Sequence, residues 1–166
     1  MVIQVAKFLG ANVIASTHSQ EKIDYCYSLG ADLVIDYKTD YALAIQKQYP
    51  DGVNVIWNTS RQHDFNTLLP LLSFKGRYIL MAGSGYAATF AVGDLYTQDR
   101  AICGFAITNA TQDEIERSAI DINDLLTHQA IQAKTYTVLP LERAQDAHRI
   151  IEQEEIWGKI IIDLKN

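Results

Sequence analysis

Two kinds of segment alternate along the chain: short runs rich in β-branched residues, and longer stretches in which apolar residues recur at helical spacing. VIQVAKFLG has the pattern of a helix end with Gly10 as its stop, and ANVIAST follows as a strand after a very short turn. Ser19 is placed to cap the next helix, SQEKIDYCYSLG, which carries Glu21 and Lys22 in its first turn and stops at Gly30. The unit repeats as a strand (ADLVIDY), a helix (TDYALAIQKQY) and, after a Pro50-Asp51-Gly52 turn, a strand (VNVIWN). RQHDFNTLLPLLS predicts a helix kinked at Pro70, Lys75-Gly76 a turn, and RYILMAG a further buried strand. Four strands joined through helices call for an α/β fold with a parallel, doubly wound sheet.

From Ser84 to Arg100 the pattern loosens, after which AICGFAI returns to strand composition and TQDEIERSAIDINDLLTH to an amphipathic helix. AKTYTVLP, LERAQDAHRIIEQ and GKIIIDL close the chain as strand, helix and strand, with Pro140 marking the start of that helix. No low-complexity linker or repeat interrupts this order, and 166 residues, 48% of them apolar, suffice for one soluble domain with a sizeable core.

Charge narrows the field of partners. With 14 Lys and Arg against 20 Asp and Glu the formal charge is −6, and the basic residues are scattered, which argues against nucleic acid. Cys26 and Cys103 stand far apart without CxxC or Cys/His spacing, so neither a disulfide framework nor a structural metal is expected, and a reducing cytoplasm is the natural setting. The apolar N-terminus carries Lys7 and lacks the charged start and cleavage site of a signal peptide, and no run is long enough to span a bilayer. His18, His63, His128 and His148 have no Cys, Asp or second His at ligand spacing, and no Ser/His/Asp or Cys/His arrangement emerges. Neither a metal ligand nor a catalytic residue is assigned.

GANVIAST, a helix with Glu-Lys in its first turn, LGADLVIDY, GVNVIWN, KGRYILMAG and LPLERAQDAHRIIEQ with GKIIIDL follow one another in an order that resembles the zinc-free, zeta-crystallin-like quinone oxidoreductase branch of the medium-chain dehydrogenases/reductases. The resemblance covers nearly the whole chain. It implies a Rossmann-type nucleotide-binding domain over residues 1–130, and over 131–166 a strand-helix-strand that in the family returns to the catalytic domain. In that family a first strand and a glycine-rich turn, whose backbone N–H groups meet the cofactor pyrophosphate, precede the stretch corresponding to AKFLGA. This sequence opens inside the helix that follows them, so the first strand, the glycine loop and the upstream catalytic domain are expected to be missing. The vacant central position is then filled either by the second strand pairing directly with the fourth or by a segment such as KIIIDL.

In such folds the choice of cofactor is made at the end of the second strand, where an acid holds the ribose 2′-hydroxyl of NAD and neutral or basic groups accept a 2′-phosphate. Here Ala15-Ser16-Thr17-His18-Ser19 offers no acid before Glu21. The resemblance places Lys22 and Tyr37 against the 2′-phosphate, and a cation, a phenol and the hydroxyls of Ser16 and Thr17 suit that anion; NADPH is expected in preference to NADH. Asn58-Thr59-Ser60 ends the fourth strand and Gly83-Ser84-Gly85 the fifth, both at the carboxyl edge, where they would face the adenine and its ribose and the nicotinamide ribose respectively. The family more often has Asp at the place of Asn58 and a glycine close behind, where Arg61 stands in this chain. GSGYAA matches G-x-G-x-x-A, but the phosphate fingerprint needs a helix opening at its third position, and YAATFAVGD has no helical apolar period.

The expected function is the NADPH-binding portion of an enzyme that moves hydride from NADPH to a quinone or enone, inactive on its own. Two alternatives stand beside it: a truncated, non-catalytic nucleotide-binding or dimerisation domain, and a fragment of a polyketide-synthase-type enoyl reductase. The latter usually carries a glycine-lysine pair after the fifth strand, where this chain has Ser84. In the resembling enzymes the strand equivalent to AICGFAI pairs across a two-fold axis, which predicts a homodimer through Ala101 to Ile107.

Overall fold

The computed structural model describes residues 1–132, 136–153 and 158–164. Its elements run α1 (Val2–Phe8), β1 (Ile14–Thr17), α2 (Gln20–Ser28), β2 (Leu33–Asp36), α3 (Tyr41–Gln48), β3 (Val53–Asn58), α4 (Phe65–Leu68), β4 (Leu72–Leu80), α5 (Gly93–Tyr96), β5 (Ala101–Gly104), α6 (Gln112–Thr127), β6 (Tyr136–Pro140), α7 (Ala144–Glu152) and β7 (Lys159–Asp163). Residues 133–135 of the strand predicted as AKTYTVLP lie outside the described residues.

Every strand pair is parallel, as the alternation of strand and helix requires. The strands nevertheless form three hydrogen-bonded groups, β1-β2, β3-β4-β5 and β6-β7. Within the chain, neither sequence-based solution for the central position is realised. β1 does not pair with β3, and the KIIIDL strand β7 pairs with β6, from Tyr136↔Lys159 to Pro140↔Asp163. Side chains join what the backbones leave apart: Ile35, Ile45 and Leu71 form a buried cluster against which Ile14 of β1 and Val53 and Ile56 of β3 both pack. A second cluster is formed by Phe65, Leu69, Leu72 and Tyr78, and Val53, Ile56 and Leu68 pack against both. Burial of each of these leucines contributes roughly 2 kcal/mol, so the segment Leu69–Leu72, which serves both clusters, is the apolar centre of the molecule.

Four local expectations are corrected. The helix predicted over RQHDFNTLLPLLS begins only at Phe65, because the Asp64 carboxylate accepts from the Thr67 N–H (3.1 Å) and caps it there. Pro70 sits in a 3₁₀ turn, Leu69–Leu71, in place of a kink. Lys75-Gly76, predicted as a turn, lies inside β4, where the register jumps from Val53↔Leu72 to Val55↔Arg77 and Lys75 takes φ 60°. The Lys75 N–H then bonds to the Gln98 carbonyl (2.9 Å) instead of the ladder, which makes the feature a bulge. Finally, β5 ends at Gly104, and Ile107 begins a 3₁₀ turn, so the strand expected from Ala101 to Ile107 is four residues long.

Helix capping follows the sequence in part. Thr111 and Glu114 form a reciprocal capping box at the start of α6. Ser19 occupies the N-cap position of α2, but its hydroxyl makes no capping bond, and its backbone, at φ 144° and ψ 145°, adopts a conformation otherwise nearly confined to glycine. No helix among the described residues is long and apolar enough to cross a membrane.

Candidate functional site

The predicted site residues fall into two groups at the carboxyl ends of the strands. The first is built by β1 and β2. Their register sets Thr17 beside Asp36, and the Tyr37 N–H donates to the Thr17 carbonyl (3.2 Å), carrying the pairing past the strand ends. Ser16 and Tyr37 are exposed, Thr17 is half-buried, and Lys22, also exposed, is the third residue of α2. Between them lies a contact the sequence reading did not anticipate. His18 Nδ1 meets both carboxylate oxygens of Asp36 at 3.1 Å, and its ring leans on Tyr37 with centroids 5.8 Å apart. The Lys38 N–H bonds to the same carboxylate (2.9 Å) and, with the imidazole, holds Asp36 below the usual carboxylate range. An acid therefore does stand at the end of β1, supplied by its neighbour β2.

The second group links the ends of β3 and β4. The Asn58 side-chain N–H donates to Tyr78 Oη (2.6 Å), Tyr78 Oη lies 3.3 Å from His63 Nδ1, and His63 Nε2 lies 2.9 Å from the Ala82 carbonyl. A carbonyl can only accept, so Nε2 carries the proton, Nδ1 accepts from the tyrosine, and the tyrosine accepts from Asn58. On its other side Asn58 accepts the Ser60 N–H (2.7 Å), and the Ser60 hydroxyl donates to the Gln62 carbonyl. Every member has one direction of donation, which fixes both loops with respect to each other. Tyr78 is fully buried and His63 nearly so, and burial pushes the Tyr78 phenol up, keeping it a neutral donor.

Gly83 closes this network. A Cβ there would stand 2.8 Å from His63 Nε2, and its φ of 90° is left-handed. Ser84 and Gly85 are exposed beyond it; the Tyr86 N–H turns back to the Gly83 carbonyl (2.8 Å), and the next helix starts only at Gly93, so GSGYAA opens no helix. His63 and Tyr78 were both absent from the predicted site. Tyr78 carried a signal, since a tyrosine within an apolar strand must find a partner for its hydroxyl; nothing in the spacing pointed to His63 as that partner.

The first comprises the hydroxyls of Ser16 and Thr17, the Lys22 ammonium group, the Tyr37 phenol and the His18 imidazole, which meets the Asp36 carboxylate. The second is a neutral relay that shapes two loops and exposes no activated nucleophile. Among the described residues no group of three or more His, Cys, Asp or Glu side chains could hold a metal ion. Two hollows, one beside α1 and α2 around Lys7 and Leu29 and one around Tyr49 and Pro70, include none of these residues. The candidate site is an open strand edge, the place where α/β sheets receive ligands.

Comparison with known proteins places the chain in a family. The family model of zinc-binding dehydrogenases matches residues 1–123. A zinc-type alcohol dehydrogenase-like protein of Staphylococcus epidermidis is 22% identical over 98% of this chain and 51% of its own length. The quinone oxidoreductase of Sus scrofa is 26% identical over 96% of this chain and 49% of its own. The chain thus spans about half the length of these curated relatives. Among solved structures, a mycobacterial quinone oxidoreductase superposes with a TM-score of 0.85 at 24% identity over 96% of this chain and 51% of that one. An NAD-dependent alcohol dehydrogenase does so with 0.82 at 24% over 98% and 46%, and a mycobacterial protein complexed with NADPH with 0.80 at 24% over 97% and 51%. These likenesses establish a Rossmann-type fold despite the separation of β1 from β3. Matched over residues 1–123 and folded in this way, the chain belongs to the zinc-binding dehydrogenase family of medium-chain dehydrogenases/reductases.

Proposed function

We propose that the chain is the NADPH-binding portion of a zinc-independent, cytoplasmic oxidoreductase of the quinone reductase type, holding the adenosine end of the cofactor and having no reductase activity by itself. The observation that carries this reading is the convergence of Thr17, His18 and Tyr37 at the paired ends of β1 and β2, with Lys22 opening the adjacent helix. The donor set fits a ribose 2′-phosphate: Ser16 and Thr17 supply hydroxyls, Tyr37 a phenol and Lys22 a positive charge. Asn58, oriented by Tyr78, would face the adenine and its ribose, and Gly83 and Ser84 the nicotinamide ribose. The cofactor, once bound, supplies the hydride for a quinone or enone. This chain's residues bind and orient it, and residues 131–166 form the segment that returns toward a catalytic domain.

Titration of the chain with NADPH and NADH tests the reading. Micromolar, saturable NADPH binding is expected, with weaker binding of NADH. Lys22→Ala is expected to weaken NADPH by about tenfold, the equivalent of one charge-assisted contact, and to leave NADH nearly unchanged. Absence of saturable binding of either nucleotide removes the cofactor assignment.

The same reading includes a homodimer through β5. That strand is the edge of its sheet, and Phe105 and Ile107, 48% and 65% exposed, extend the apolar edge beyond it. Gel filtration at micromolar concentration is expected to give twice the monomer mass, and a monomer there would sink the dimer. The unpaired edges of β1 and β3 favour a second reading, a non-catalytic nucleotide-binding or dimerisation domain, which predicts dimer without selective NADPH binding.

A further inference from the structure

We propose that Arg61, in the loop after β3, binds the diphosphate of the dinucleotide, with the Asn58 amide as a neutral donor beside it. The inference rests on the nucleotide-binding reading above and assigns a contact which that reading leaves open.

Charge singles out Arg61. The loops at the carboxyl ends of β3 and β4, residues 59–64 and 81–92, hold Arg61, Asp64 and the buried His63, and no other Lys, Arg, Asp, Glu or His. The Asp64 carboxylate turns to the Thr67 N–H (3.1 Å) and caps α4. Arg61 is exposed, and among the described residues its side chain has no ion pair or hydrogen bond. An unpaired cation at a ligand-receiving strand edge, in a chain of formal charge −6, favours an anion at that edge. The planar fork of a guanidinium matches two oxygens of a phosphate.

The backbone of Arg61 is held where the two loops meet. On one flank Asn58 Oδ1 accepts the Ser60 N–H (2.7 Å), and the Ser60 hydroxyl donates to the Gln62 carbonyl. On the other, His63 Nε2 bonds to the Ala82 carbonyl (2.9 Å). The Arg61 carbonyl lies against the Gly83 turn, 2.9 Å from the position of a Cβ there. The same bonds orient the Asn58 amide. Its oxygen takes the Ser60 N–H and one of its N–H groups goes to Tyr78 Oη (2.6 Å), so the second N–H is left as a donor. A carboxylate at that place would repel an anion, whereas the amide offers it a bond.

Position identifies the anion. In the reading above Asn58 meets the adenine ribose, and Gly83 and Ser84 meet the nicotinamide ribose. The group that joins the two riboses of a dinucleotide is its diphosphate. Arg61 belongs to the first loop and touches the second. The 2′-phosphate is a separate anion, assigned to Lys22 at the start of α2, beside the strand pair β1-β2.

Three ligands separate the two anions: NADPH carries both, NADH only the diphosphate, and adenosine 2′-monophosphate only the 2′ group. Their dissociation constants for the full chain would be measured by calorimetry with the wild type, Arg61→Gln and Lys22→Ala. Arg61→Gln is expected to weaken NADPH and NADH by the same factor, about tenfold, the worth of one charge-assisted contact. Adenosine 2′-monophosphate should bind this variant as it binds the wild type, which also shows that the variant is folded. Lys22→Ala should do the converse, weakening NADPH and adenosine 2′-monophosphate and leaving NADH nearly unchanged. If both dinucleotides bind and Arg61→Gln leaves NADH unchanged, or weakens all three ligands alike, the inference is overturned and the nucleotide-binding reading stands. If neither dinucleotide saturates the wild type, that reading fails and the inference fails with it.

Discussion

Gly52→Ala is expected to lower the stability of the chain by about 3 kcal/mol or more, one of the two largest effects of a single added methyl group anywhere in this fold. Gly52 takes φ +82°, and a Cβ built there stands 2.6 Å from Ser73 N, 2.7 Å from Leu72 C and 2.8 Å from Leu71 O. All three are backbone atoms, so no flexible side chain can swing away. They also belong to the segment that carries Leu71 and Leu72, each almost completely buried and each serving a different core cluster. Relief of the clash would have to shift the start of β4 and disturb both. The left-handed conformation costs a non-glycine residue about 1 to 2 kcal/mol, and overpacking a close-packed site about 1 to 3 kcal/mol more. Gly10 separates the two contributions, since it has nearly the same φ, +81°, and nothing within 4 Å of its Cβ. Urea denaturation should place Gly10→Ala about 1 to 2 kcal/mol below the wild type and Gly52→Ala clearly below Gly10→Ala. Equal losses for the two would show that the close approach to β4 is not what Gly52 is needed for.

The contrast between these glycines shows where sequence reading succeeds and where it stops. Elements were legible because their signals are local: the apolar periods of α2 and α6 and the β-branched runs of β1 to β3 all lie within a few residues of themselves. The stop at Gly10 and the turn at Gly52 look alike in sequence, and only the approach of β4 distinguishes them. Pairing is not a local property either. Nothing in ANVIAST or VNVIWN states that their strands will remain unpaired with each other, and nothing in KIIIDL states that it will choose β6. The Lys75-Gly76 pair has the composition of a turn, yet the strand continues through it because Leu72 and Tyr78 on either side are both drawn into the core.

The site was legible to the same extent. Its location at the strand ends followed from the general rule for open α/β sheets. Its contents were incomplete, because the segment after β1 holds no acid of its own before Glu21, whereas the register places Asp36 of β2 beside Thr17. His63 has no ligand or catalytic partner at suitable spacing in the sequence. Its actual partners, Tyr78 and Ala82, are 15 and 19 residues away and are brought to it by the return of the chain through β4.

Gly83→Ala is expected to have the second large effect, because its added methyl group would strike that histidine. The Cβ would lie 2.8 Å from His63 Nε2 and 2.9 Å from the Arg61 carbonyl, at a φ of +90°. The imidazole is not free to yield: Nε2 is bonded to the Ala82 carbonyl, Nδ1 to the Tyr78 hydroxyl, and the ring is stacked on Phe65 with centroids 5.8 Å apart. If it moves, Tyr78 Oη, in a fully buried side chain, loses its acceptor, and Asn58 loses the partner that orients it toward the strand edge. Left-handed strain of about 1 to 2 kcal/mol and a buried unsatisfied hydroxyl of about 1 to 3 kcal/mol give a total of about 2 to 5 kcal/mol. A double-mutant cycle with His63→Ala identifies the cause. In the His63→Ala background the clash with the ring is gone and only φ and the Arg61 contact remain, so the cost of Gly83→Ala should shrink by about 1 to 2 kcal/mol. If the two substitutions are additive, the rigidity of the Gly83 loop comes from its backbone alone and His63 does not hold the ends of β3 and β4 together.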